Sequence, residues 1–281
     1  MTTTRNFPAL NPDSIAGTRD TLHTYALVVG DYPAALRARR KHWWHSSLRP
    51  SLEGLTTGVI HAQIDFELEL NLRQSLLRAR TRNGAELTAD LRGQPASELA
   101  QNIKDFLGAN GLGHLSNPGD TARIEQTTPG YSAEIAATLA AVWRAVSATL
   151  AEFRAGIREE TSPIQLWPHH FDLGMTWLPG EKVPGQDPDD EENADKQMNI
   201  GFTLGDASIP EPYFYVSAYP LPEAFPKLQL PTGTTWHSEG FSGAVLLYRS
   251  LVQNADPSSY LLDLWNGLLS ACRNHMLTKT N

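Results

Sequence analysis

The sequence predicts an α+β protein: an antiparallel sheet packed by long helices, arranged as two pseudo-repeated helix–sheet–helix halves. Three observations predict it. Asp65 to Arg73 alternates, with Phe66, Leu68, Leu70 and Leu72 on one face and Asp65, Glu67, Glu69, Asn71 and Arg73 on the other. Period 2 with one polar face is the pattern of a half-buried strand in an antiparallel sheet. Tyr131 to Ile157 instead repeats its apolar residues at helical spacing, through Ile135, Leu139, Val142, Val146, Leu150, Phe153 and Ile157. Finally, the order of helix, Trp/His cluster, strands and helix occurs twice: "HWWHSSL" follows the first long helix and "LWPHHFDL" the second. The halves are placed at residues 1–128 and 129–281.

Taken in order, the first helix is expected from Thr18 to Arg40. Thr18 is the cap, and Leu22, Ala26 and Val29 lie on one face. Gly30 and Pro33 are expected to kink or split it. After "HWWHSSL" the chain is irregular to Gly58. A partner to the alternating strand runs from Leu76 to Arg82, and Asn83-Gly84 signals the next turn. Ser97 to Leu107 reads as a helix with Leu99, Ile103 and Phe106 inward. The "GANGLG" that ends it follows a helix rather than leading from a strand into one, so it reads as a loop and not a nucleotide fingerprint. "SPIQLWPHHFDLGMTWLPG" reads as one or two strands, and residues 183–196 as an acidic loop. "MNIGFTLG", "PYFYVSAYP" and "GAVLLY" read as further strands. Asp256-Pro257, a cap followed by proline, opens a last helix to about Asn274.

Composition narrows the partners. Hydrophobic residues are 41% and charged residues 19%, an ordinary globular balance. The net charge of −8 argues against nucleic acid, which needs a basic surface. The cluster Arg37, Arg39, Arg40 and Lys41 is explained by the end of the expected helix, near which it lies and where cations complement the dipole. The opening "MTTTRNFPALNP" lacks the apolar core of a signal peptide, and no run of 18 apolar residues suggests a membrane helix. A cytoplasmic protein without a membrane partner is expected. The one cysteine, Cys272, fits a reducing compartment and reads as core on an apolar helix face.

Chemistry concentrates in "LWPHHFDLGMTW". Read as a strand, it turns His169 inward with Phe171, Leu173, Met175 and Trp177, as a core histidine. It turns His170 the other way, with Asp172 and Thr176. A carboxylate two residues along a strand can orient an imidazole, so His170 and Asp172 are the catalytic candidates, with His170 as general base. A register shift at Pro168 would exchange the two histidines. "HWWH" places Trp43 and Trp44 between His42 and His45, while "TWHSEGFSG" adds His237 and Glu239 on one strand face. His170, Asp172, His237 and Glu239 together form a weak divalent-metal set; otherwise no cofactor is expected. "PYFYVSAY" lines Tyr213, Tyr215, Ser217 and Tyr219 along one face, as a pocket wall or as hydroxyls in water. The run Asp187, Asp189, Asp190, Glu191, Glu192 and Asp195 lacks calcium-hand spacing and is a solvated loop or a lid.

The pieces "TRDTLHTYALVVG", "HWWHSSL", "GLTTG", "FELEL", "SPIQLWPHHFDLG", "QMNIGFTLGD", "EPYFYVSAYP" and "WHSEGFSGAVL" resemble a bacterial family of uncharacterised proteins, domain of unknown function 5996. The resemblance runs from Phe7 to about Leu264 and departs at Pro33 and at Arg49-Pro50. It implies no activity, cofactor or catalytic residue. The leading expectation is therefore a small-molecule-binding protein with a pocket lined by Trp43, Trp44, His170, Asp172, Tyr213, Tyr215 and His237. The alternatives are a hydrolase using His170 and Asp172, with or without a metal, and a protein-interaction module. Nothing in the sequence sets the oligomeric state.

Overall fold

A computed structural model describes residues 5–115, 130–190 and 192–277. The expected boundary at residues 128 and 129 lies outside them, as does Glu191 of the acidic run. The helices are α1 (Pro12–Leu36), α2 (Ala96–Ala109), α3 (Ala133–Ala155), α4 (Tyr248–Leu251) and α5 (Pro257–Met276). The strands are β1 (Arg49–Pro50), β2 (Gly54–Thr56), β3 (Phe66–Asn71), β4 (Leu76–Thr81), β5 (Glu86–Asp90), β6 (Glu160–Thr161), β7 (Gln165–Trp167), β8 (Asp172–Leu178), β9 (Gln197–Thr203), β10 (Tyr213–Tyr219), β11 (Thr234–His237) and β12 (Gly243–Leu247). The fold is α+β with antiparallel sheets, as the periodicities predict. The chain divides into two compact units: Asn11–Arg144 with Gln165–Phe171, and Met1–Leu10 with Ala145–Ile164 and Asp172–Asn281.

In the first unit, α1 begins six residues before the expected cap. Asn11 accepts from the backbone N–H of Asp13 and Ser14, and Pro12 opens the first turn, where its missing N–H costs nothing. Thr18 is instead buried. Its hydroxyl accepts from Ser132 N–H at 2.9 Å, tying α1 to the start of α3. The expected break at Gly30 and Pro33 does not occur. Pro33 lies in the last turn, and its carbonyl still accepts from Arg37 N–H at 3.1 Å. Gly30 makes room for a neighbour: a Cβ there would meet Pro168 Cγ at 2.5 Å.

Strands β1 to β5 pair in sequence order as an antiparallel meander. Phe66, Leu68 and Leu70 of β3 and Leu77 and Ala79 of β4 are buried, and α1 and α2 pack on these strands. The opposite face carries cross-strand charge pairs, such as Glu67 opposite Arg80 at 2.9 Å. Gly84, at φ +85°, makes the Asn83-Gly84 turn into β5, an edge strand the alternation did not reveal. In α2, Leu99, Ile103 and Leu107 are buried, while Phe106 is only half-buried.

The second unit holds a sheet in the order β11-β12-β10-β9-β8-β6. Its apolar face comprises Leu173, Met175 and Trp177, then Met198, Ile200 and Phe202, then Phe214, Val216 and Ala218, all buried and cross-paired in register. Helix α5 covers β9 and β10. Trp265 packs against Phe153 and Phe214, with centroids 5.6 and 6.3 Å apart. Asp256 caps α5, accepting from Ser259 N–H, with Pro257 following, as expected. Cys272 is fully buried, and burial pushes its thiol up to about 12, fitting the expected core role. Glu159 receives two hydrogen bonds from Arg273, at 2.7 and 2.6 Å.

The acidic loop is tied together at its base. Val183 and Ala194 are buried and hydrogen-bonded at 2.9 Å, and Lys182 pairs with Asp195 at 2.8 Å. Its tip is held by its own carboxylates: Asp190 accepts from the N–H groups of Glu192 and Asn193. The expected internal repeat does not emerge from the topology, since a sequential meander and the second sheet differ in strand order. Among the described residues, one helix, Ala133–Ala155, is long and apolar enough to cross a membrane by length and composition, and half of its apolar window is buried within the protein.

Candidate functional site

The polar face of the second sheet gathers most of the candidates. Strand alternation on β10 places Tyr213, Tyr215, Ser217 and Tyr219 there, as the sequence predicts. Register then sets their neighbours. Tyr213 faces Thr203, which faces Asp172; Tyr215 faces Gly201, which faces Gly174. The two glycines leave a bare strip across two strands. Tyr215 lies along it, so close that a Cβ on Gly201 would stand 2.6 Å from Tyr215 Cε1. From there its hydroxyl reaches across the sheet and donates to Asp172 Oδ2. Burial, followed by the charge of Asp172 and this hydrogen bond, pushes the Tyr215 phenol well above its ordinary range. It therefore stays a protonated donor.

Tyr213 repeats the arrangement with a different carboxylate. Its hydroxyl donates to Asp206 Oδ2 at 2.5 Å. Burial raises this phenol too, with the bond to Asp206 adding to the effect. Asp206 sits in the turn after β9, where its other oxygen accepts from the N–H groups of Ser208 and Ile209. Burial pushes the Asp206 carboxyl up, but the hydrogen bonds from Tyr213, Ile209 and Ser208 and the charge of His237 outweigh it. The group lies below the usual carboxylate range.

An aromatic wall completes the cluster. Phe241, between β11 and β12, stands 6.3 Å from Tyr213, 6.2 Å from Tyr215 and 4.8 Å from His237, centroid to centroid. Gly240, at φ +81°, turns this segment toward the Asp206 turn, where its Cβ position lies 3.3 Å from Ser208 Oγ. Farther along the face, Thr176 donates to Asn199 at 2.8 Å, and Gln186 of the acidic loop donates to the Tyr219 hydroxyl at 3.4 Å.

The structure thus brings Asp172, Tyr213, Tyr215 and His237 onto one face. Two neighbours of that group were missed. Asp206 had a readable signal, since Gly-Asp-Ala-Ser between two strands is a turn in which aspartate binds its own backbone. Phe241 had none, because only the sheet register brings it to the tyrosines.

Other expectations need correction. Pro168 to Phe171 is a turn and not a strand: the N–H groups of His170 and Phe171 both point to the Trp167 carbonyl, at 3.3 and 2.7 Å. Strand alternation therefore stops at Asp172. His169 is exposed rather than a core residue, and His170 is exposed beside it. The buried member is Phe171, at φ +55°, a backbone state that L side chains seldom adopt. It is held by ring contacts within the first unit: His23 stacks on it at 5.0 Å and Trp143 meets it edge-on at 5.3 Å. His23 was not anticipated. Burial lowers its pKa below the ordinary value against the pull of the Pro168 and His169 carbonyls and of Asp20, and its Nε2 is buried without a hydrogen bond.

Trp43, Trp44 and His170 belong to the first unit. "HWWH" is a kinked segment in which His42 and Trp43 are non-helical, with positive φ of +53° and +56°. Arg39 lies 4.8 Å over Trp43, whose other neighbour is His45 at 5.8 Å; Lys41 lies 5.7 Å from Trp44. His45 Nδ1 accepts from Arg40 N–H at 3.2 Å, so it serves the local chain.

Of the weak metal set, His237 Nε2 is 2.6 Å from the Glu239 carbonyl oxygen, and Glu239 lies beyond the end of β11 rather than on its face. Among the described residues, no group of three or more His, Cys, Asp or Glu side chains is placed to hold a metal ion.

No curated protein and no solved structure matches the chain. A family model described as "Family of unknown function (DUF5996)" matches residues 7–275, and the chain belongs to that family.

Proposed function

For this member of a family without an assigned activity, we propose a small-molecule-binding function seated on the polar face of the second sheet, around Asp172, Asp206, Tyr213, Tyr215, His237 and Phe241. One observation carries the reading. Two tyrosines, side by side on β10, each donate to a carboxylate from a different segment, over a strip kept clear by Gly174 and Gly201. Fixing two phenols and two carboxylates costs desolvation that an apolar surface would avoid. Preorganised polar groups beside partly exposed aromatic rings are the common anatomy of a ligand site. The hydrolase alternative loses its basis in strand alternation, because His170 stands in an exposed turn and Asp172 accepts from Tyr215.

The test is a thermal-shift and ligand-observed NMR screen of small polar metabolite-like compounds against the full chain and Tyr215→Phe. Hits that bind the wild type and weaken by about tenfold in the variant support the reading; a loss of one charge-assisted hydrogen bond is of that size. A screen whose hits ignore the substitution, or that yields none, overturns it.

A further inference from the structure

From the same face, and resting on the binding function just proposed, we infer that the ligand is an organic ammonium cation held against Tyr213, Tyr215 and Phe241. Three observations point to that class.

The first is the direction of the hydrogen bonds. Each phenol gives its proton to a carboxylate, so the two pairs offer an incoming group oxygen lone pairs and negative charge, with no phenol proton to spare. A ligand carboxylate or phosphate would meet acceptors there; a ligand N–H or a positive charge would meet partners.

The second is the company of the rings. Tyr213, Tyr215 and Phe241 stand at the corners of a nearly equilateral triangle, with sides of 6.4, 6.3 and 6.2 Å between centroids. A cation about 3.5 Å above the middle of that triangle is about 5 Å from all three centroids, within the distance range of a cation–π contact; Tyr213 and Phe241 are nearly parallel, at 10°, and Tyr215 stands at 60° and 70° to them, so the rings do not all turn a face to that point. His237 flanks Phe241 at 4.8 Å; Phe241, Tyr215 and His237 are partly exposed, so a ligand reaches the site from their side, while Tyr213 is buried.

The third is the charge of the surroundings. No lysine or arginine stands on this face of β8, β9 or β10, whose residues there are Asp172, Gly174, Thr176 and Leu178, Gln197, Asn199, Gly201 and Thr203, and Tyr213, Tyr215, Ser217 and Tyr219. The acidic loop reaches the same face through Gln186 at Tyr219 and through the Glu192 carbonyl, which accepts from Gln197 at 3.0 Å. The charges paired with the two phenols, Asp172 and Asp206, are both negative, with His237 beside Asp206, and an excess of negative charge draws a cation toward it.

The experiment compares choline with 3,3-dimethylbutan-1-ol, its neutral carbon isostere, by calorimetric titration into the full chain. Shape is held constant and only the charge changes. The expected result is saturable choline binding at least about tenfold tighter than the isostere, reduced about tenfold by Phe241→Leu, which keeps apolar bulk and removes the ring. The unfolding midpoint of Phe241→Leu, measured alongside, establishes that the variant is folded. Equal affinity for the two compounds overturns the cation assignment while leaving a binding site in place. Choline binding untouched by Phe241→Leu overturns the location. Heat from neither compound overturns the inference, and the screen with Tyr215→Phe then decides the broader binding function by itself.

Discussion

Tyr215 lies across Gly201, the residue opposite it on the neighbouring strand, so that a Cβ at Gly201 would press into the phenol ring from Cε1 to the hydroxyl. The ring can run along the sheet to Asp172 only because this position carries no side chain. Gly201→Ala is therefore expected to displace Tyr215, break its bond to Asp172 and cost about 2–3 kcal/mol by overpacking. Urea denaturation measures this. In a Tyr215→Ala background the same substitution should cost less than about 1 kcal/mol, since the clash is gone. Additive costs would show that the glycine serves some other neighbour.

Gly30 gives a case where helix propensity and packing oppose each other. Alanine in a helix interior is worth about 1 kcal/mol more than glycine, which favours Gly30→Ala. Here the new methyl would stand 2.5 Å from Pro168 Cγ and 2.9 Å from its Cβ. The expected outcome is net destabilisation by about 1–2 kcal/mol, with a smaller cost when the substitution is made in a Pro168→Gly background, which removes both contacting atoms. A stabilising single variant would mean that the Pro168 turn yields easily.

Asp31 on α1 has its carboxyl raised by burial from 3.8 to about 6. Folding takes up a proton between those values, so this group penalises the native state as pH rises from 3.8 through 6. Asp31→Asn should raise stability by about 1–2 kcal/mol at pH 7 to 8, and by little at pH 4, where the carboxyl is protonated in the native state. Denaturation curves of both proteins at the two pH values check the sign. A gain that is the same at pH 4 would remove titration as its cause.

Glu159 has the opposite sign. The hydrogen bonds from Arg273 hold its carboxyl near 2, below its ordinary 4.5, against the opposing effect of burial. The stability it contributes is present above pH 4.5 and lost as pH falls toward 2. The pair is partly open to solvent, so Glu159→Gln is expected to cost only about 1 kcal/mol at pH 7. The wild type and the variant should converge near pH 2. Curves that stay parallel down to pH 2 would assign the loss to geometry rather than charge.

Features that depend on near neighbours along the chain are legible in the residues alone. The alternation of Phe66, Leu68 and Leu70, the helical spacing from Leu139 to Phe153, the Asp256-Pro257 cap and the one-sided row of tyrosines on β10 all follow from periods of 2 and 3.6 residues. Those periods are backbone geometry, and the apolar residues report them directly. Tertiary structure decided which residue a side chain meets across strands. Asp172 finds Tyr215, 43 residues away, instead of the nearby His170 that alternation offered it. Asp206 and Phe241 join the tyrosines through a turn and a strand register that no local pattern encodes. The turn at Pro168 to Phe171 escaped the periodic reading because its cause lies elsewhere. Gly30 receives the proline, and the His23 and Trp143 rings hold Phe171 in a left-handed conformation that the local sequence alone would not favour.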